Sequence, residues 1–81
     1  MIDQIRSLLE QHPMIPLNFG ALADDANLYD AGLTSFASVQ MMLALEEAFD
    51  IEFPEAMLTR RTFSSLANIA DAVSQLTRKA A

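Results

Sequence analysis

Three stretches of this chain repeat their apolar residues at helical steps, and they limit the fold to helices that bury one face each. In the first, Ile2, Ile5, Leu8 and Leu9 share a face of a helix from Ile2 to His12. Asp3 suits the positive end of that helix, and Pro13 stops it while pushing His12 out of helical geometry. In the second, Ser35 to Phe49, the residues Val39, Met42, Leu45 and Phe49 form the expected core stripe, with Thr34 or Ser35 as N-cap. The third starts near Ser64 or Ser65 and presents Leu66, Ile69, Ala70, Val73 and Leu76. Between Asp50 and Ser64 the chain reads as a brief extended stretch, Ile51-Glu52-Phe53, then a short helix opened by Pro54, with Glu55 in its first turn and Arg60 and Arg61 at its end. The tail Arg78-Lys79-Ala80-Ala81 is expected to fray.

Residues 13 to 34 have no sustained period. Pro13, Pro16, Asn18, Gly20, Asn27, Asp30 and Gly32 punctuate them. A loop of about twenty residues needs apolar anchors or a function. Leu17, Leu22, Leu28, Tyr29 and Leu33 are the candidate anchors, and a short helical turn fits Leu17 to Ala23. The expected architecture is all-α: three longer helices, a short third helix, and a long loop between the first and second.

With 81 residues there is room for one small, marginally stable domain, and the 52% hydrophobic fraction is enough to fold it. The absence of cysteine excludes a disulfide framework, a thiolate metal site and a thiol nucleophile. The N-terminal run reads as neither signal peptide nor membrane span, so a cytoplasmic, soluble monomer is expected. The net charge is −6, and no Lys or Arg occurs between Arg6 and Arg60. That stretch holds Asp24, Asp25, Asp30, Glu46, Glu47, Asp50, Glu52 and Glu55. Such a surface disfavours nucleic acid and favours steering toward a basic protein partner.

Catalytic chemistry finds little support. A Ser-His-acid triad would need His12, the single histidine, which reads instead as a solvated helix end. Asp24, Asp25 and Asp30 lack the calcium-loop spacing, and there is no phosphate-cradling glycine loop, so no metal is expected. The remaining candidate is Asp30-Ala31-Gly32-Leu33-Thr34-Ser35-Phe36. Gly32 lets the chain turn sharply, Leu33 anchors the loop, and Ser35 comes to the N-terminus of the longest helix. A hydroxyl there is accessible, and a phosphodiester on it would sit near unpaired backbone N–H groups. Taken alone, a serine in that place is more often simply a cap.

The run Leu28 to Phe36, with Val39 and Ala44-Leu45-Glu46-Glu47-Ala48-Phe49-Asp50-Ile51-Glu52-Phe53-Pro54, resembles the acyl carrier protein family, and the likeness continues to Phe63, Leu66, Ile69 and Val73. The resemblance implies a four-helix bundle without catalytic activity. It implies that a phosphopantetheinyl transferase moves 4'-phosphopantetheine from coenzyme A onto Ser35. The arm's thiol would then hold an acyl group as a thioester and present it to downstream acyl-using enzymes.

The chain departs from the family around that serine. Thr34-Ser35-Phe36 stands where many members have Asp-Ser-Leu, and Ala37 and Gln40 replace frequent acids. Phe36, Gln40 and Leu43 share a helix face with Glu47 next to it. Together with Thr34 these are the candidate partner-binding residues: apolar contact beside Ser35, with Glu46, Glu47, Asp50, Glu52 and Glu55 steering. Arg60-Arg61 stands where an acidic stretch is more usual. The departures favour a specialised cargo, preferably an amino acid loaded by a separate ligase. A fatty-acid or polyketide cargo is the alternative, and an unmodified acidic module that binds partner helices is the rival from another class. Met41-Met42 fits an adaptable acyl cavity less well than plain core and rim.

Overall fold

The computed structural model describes residues 1–15 and 17–80, with backbone only for 78–80. Among the described residues three α-helices form: α1 Ile2–Glu10, α2 Ser35–Phe49 and α3 Leu66–Ala80. The first helix packs on both others, and α2 packs on α3. Their shared centre is apolar: Ile5 and Leu9 from α1, Ala37, Met41 and Leu45 from α2, Leu66, Ile69 and Val73 from α3. Pro16 and Ala81 lie outside the described residues. The tail stays helical to Ala80.

Two sequence expectations need correction. The short third helix is a single 3₁₀ turn, Glu55–Met57, capped by Pro54; Arg60 and Arg61 lie beyond it in turns rather than at a helix end. The edge-to-face pair of Phe53 and Phe63, with centroids 5.3 Å apart, holds this segment to the core instead of helical hydrogen bonding. The second correction concerns the stripe on α2. Val39 is 48% exposed and Met42 and Phe49 are only half-buried, while Ala37 and Met41 are buried. Apolar residues surround α2 on nearly every side, so its period does not single out the inward face. The capped start at Thr34 and the neighbouring helices do.

The long loop is ordered by contacts of two kinds. Phe19, in a 3₁₀ turn Phe19–Ala21, is fully buried, as is Leu28; Ile15 and Leu33 are nearly so. Arg6 of α1 donates to the carbonyls of Phe19 and Leu22 (2.7 Å for the latter) and to the carboxylate of Asp24. The far side of the loop is tied to the start of α3: the Leu28 amide donates to Ser64 O at 2.7 Å, and the Ala67 amide to Asp24 O at 2.9 Å. Ser65 caps α3, its Oγ accepting from the Asn68 amide at 3.1 Å.

Candidate functional site

The segment that delivers Ser35 is one helical turn capped at both ends. Asn27 Oδ1 accepts from the amides of Tyr29 and Asp30, which starts the turn. Gly32 ends it with φ +114°, a backbone conformation that side-chain-bearing residues rarely adopt. The Leu33 amide reaches Leu28 O at 2.9 Å and the Gly32 amide reaches Tyr29 O at 3.1 Å. That pair of bonds, with Leu28 and Leu33 both buried, is a Schellman motif. Its geometry fixes the direction in which Thr34 and Ser35 leave the loop.

Thr34 then takes the cap of α2. Its Oγ1 accepts from the Ala37 amide at 3.1 Å and its carbonyl from the Ser38 amide at 2.9 Å. Ser35 is therefore relieved of the capping role. It is exposed, and its Oγ makes no hydrogen bond among the described residues; only its carbonyl is engaged, by Ser38 Oγ at 2.8 Å. The amides of Ser35 and Phe36, in the first turn, find no acceptor among the described residues either.

Ser35 opens on a groove of about 370 Å³ between α2 and the 58–63 segment. Val39, Met42, Leu58 and Phe63 supply its apolar wall, and Tyr29, Ser38 and Thr59 its hydroxyls. Arg60 is its one charged lining residue, with the guanidinium stacked 3.9 Å over the Tyr29 ring. Of the two methionines, Met41 is core and Met42 is wall.

The partner-binding candidates divide. Phe36 is 58% exposed and stands beside Ser35; Leu43 is 49% exposed further along α2. Gln40, Leu43 and Glu47 come together on a separate groove with Leu8, His12, Ala44 and Ala48. Thr34 is occupied as the cap. Glu46 is not a free acid: its Oε2 accepts from the Phe53 amide at 2.9 Å and ties the chain after α2 back to the helix. Glu47, Asp50, Glu52 and Glu55 are exposed. His12 uses Nδ1 to accept the Met14 amide at 3.2 Å, closing the turn after α1.

Compared with known proteins, residues 3–73 match the family described as "Phosphopantetheine attachment site". The chain belongs to that family. It is 52% identical over 69 residues to the aminoacyl carrier protein of Agrobacterium fabrum, covering 85% of this chain and 83% of that one. Its fold matches a chain in the crystal structure of an engineered Bradyrhizobium japonicum glycine:carrier protein ligase complexed with a carrier protein from Agrobacterium tumefaciens and ATP. There the TM-score is 0.83 and the identity 48%, over 93% of this chain and 97% of the other. A further match, with TM-score 0.65 and 31% identity over 91% of both chains, is in the Bradyrhizobium japonicum ligase complexed with its cognate carrier protein and an analogue of glycyl adenylate.

The chain is thus a homologue of aminoacyl carrier proteins, a phosphopantetheine-carrying domain by family. Among its described residues no helix is long and apolar enough to cross a membrane. Three residues important to this carrier's site were not singled out from sequence. Asn27 reads as loop punctuation, although asparagine is also a preferred helix N-cap, the role it takes before Tyr29 and Asp30. Arg6 and Phe19 gave no local signal, because their partners lie elsewhere in the chain.

Proposed function

We propose that Ser35 Oγ is the attachment point of 4'-phosphopantetheine and that the chain carries an amino acid for a separate ligase. The observation that supports this most is the division of labour at the start of α2. Thr34 holds the cap, so the neighbouring Ser35 hydroxyl is exposed and, among the described residues, unpaired. The surroundings fit the group: first-turn amides point to where a phosphodiester would lie, and an apolar groove begins beside it. In the transfer, Ser35 Oγ forms a bond to the phosphorus next to the pantetheine. The phosphoanhydride bond of coenzyme A breaks, adenosine 3',5'-bisphosphate leaves, and the serine proton passes to a base of the transferase. His12, the single histidine, is engaged in the turn after α1 and is no candidate for that base. The bound arm supplies a thiol that holds the cargo as a thioester. The chain itself presents that cargo and catalyses nothing.

The matched crystal structures contain a glycine:carrier protein ligase, which makes glycine the first amino acid to test. Intact mass spectrometry after incubation with a phosphopantetheinyl transferase and coenzyme A should show one added phosphopantetheine. Adding ligase, ATP and glycine should then add one glycyl group. A Ser35→Ala protein should gain neither, and an arm on that variant would sink the reading.

A further inference from the structure

The groove beside Ser35 carries an electrostatic anomaly. The protein has a net charge of −6 and no cation between Arg6 and Arg60, yet the single charge lining this groove is positive. That charge is held in place. The Arg60 guanidinium lies 3.9 Å over the ring of Tyr29, which lines the same groove and belongs to the capped turn that delivers Ser35. Stacking on an aromatic face leaves the edge of the guanidinium, with its N–H donors, free to bind an anion. Among the described residues no carboxylate pairs with Arg60; the ion pair present there is Arg6 with Asp24.

We propose that Arg60, braced on Tyr29, is a positioning residue that pairs with the phosphodiester of the arm. The inference rests on Ser35 as the attachment point. Three features support it. Arginine presents a planar fork of donors suited to phosphate oxygens. The groove walls, Val39, Met42, Leu58 and Phe63, are apolar and offer the guanidinium no competing acceptor. No other groove residue offers a charge to neutralise the phosphate. The pairing holds the root of the arm against the 58–63 segment, so the arm leaves Ser35 in a restricted set of directions.

The test uses the full chain with its arm added by a transferase, the addition checked by intact mass. The phosphorus-31 resonance of the phosphodiester is compared in the wild type, Arg60→Gln, Arg60→Lys and Arg61→Gln, each native and in urea. In the wild type the native resonance should be displaced from its urea position. The displacement should collapse in Arg60→Gln, persist in part in Arg60→Lys, persist fully in Arg61→Gln, and shrink as salt is raised. The Arg60 Nε–H resonance should shift when the arm is added. Equal phosphorus spectra in native wild type and Arg60→Gln, both carrying the arm, would overturn the pairing alone. A wild type that gains no arm overturns the attachment reading and the pairing with it.

Discussion

At the scale of single residues, two adjacent hydroxyls have opposite assignments. Thr34 Oγ1 is tied to the Ala37 amide, and Ser35 Oγ is exposed and without a hydrogen-bond partner among the described residues. The difference follows from backbone conformation: Thr34 is extended, at φ −90° and ψ 166°, which aims its side chain back at the first turn, whereas Ser35 is already helical. A stability prediction separates the roles. Thr34→Ala should cost about 1 kcal/mol in urea unfolding, because a cap is lost. Thr34→Asp should cost nothing, since aspartate caps at least as well and suits the dipole. Ser35→Ala should stay within about 0.5 kcal/mol of wild type, as for other surface changes. A reversed order, with Ser35→Ala the costly change, would mean that Ser35 is the cap and its hydroxyl is not free.

At the scale of elements, the long first loop is held by polar groups as well as by its apolar anchors. Arg6 is mostly buried, its side chain 20% exposed, whereas its partner Asp24 is 57% exposed. The magnitudes decide which bond matters. An exposed ion pair contributes about 0–1 kcal/mol, while leaving part-buried carbonyls without a donor costs about 1–3 kcal/mol. Arg6→Met should therefore destabilise by about 1–3 kcal/mol and raise amide hydrogen exchange around Phe19 to Ala26. Asp24→Asn should change stability by less than about 1 kcal/mol. Equal losses for the two variants would place the lock in the ion pair instead. This loop also shows what a sequence reveals. Leu28, Leu33 and the turn at Gly32 were legible because each obeys a local rule of spacing or backbone freedom. So were a serine cap at Ser64 or Ser65, of which Ser65 takes the role, and the inward face of α3, since that helix is apolar on one side only. The core role of Phe19 and the grip of Arg6 depend on contacts 13 to 18 residues away, which no local pattern encodes. The exposed side of Val39 was illegible for a different reason: α2 is apolar all round, and only its neighbours choose which side is covered. The 54–58 segment mimicked a helix start because Pro54 and Glu55 satisfy the rules for one. The pull of Phe53 and Phe63 into the core ends it after one turn.

At the scale of the whole molecule, the proposed docking surface separates long-range charge from short-range apolar contact along α2, and the two would act on different rate constants. Phe36 and Val39 lie near Ser35; the exposed acids Glu47, Asp50, Glu52 and Glu55 lie at the far end of the helix and beyond it. Coulomb attraction acts before contact and is screened beyond about 10 Å at 0.1 M salt, so it governs the encounter with a basic partner. Burial of an aromatic ring acts only after contact, so it governs escape. Binding of the arm-bearing protein to the proposed loading ligase, followed by stopped-flow fluorescence, should show both. Raising the salt should lower the association rate and leave dissociation nearly unchanged. Neutralising Glu47, Glu52 and Glu55 together to Gln should do the same at low salt and remove most of the remaining salt dependence. Phe36→Ala should act the other way. Full burial of a ring of this size is worth about 1.5–3 kcal/mol, which is roughly 10- to 150-fold faster dissociation with association little changed. Half of that burial would still give several-fold. Phe36→Ala with an unchanged dissociation rate would remove the apolar contact from the docking surface, and the acids would then have to supply grip as well as steering. In that case salt would accelerate dissociation too, and the same experiment would detect it.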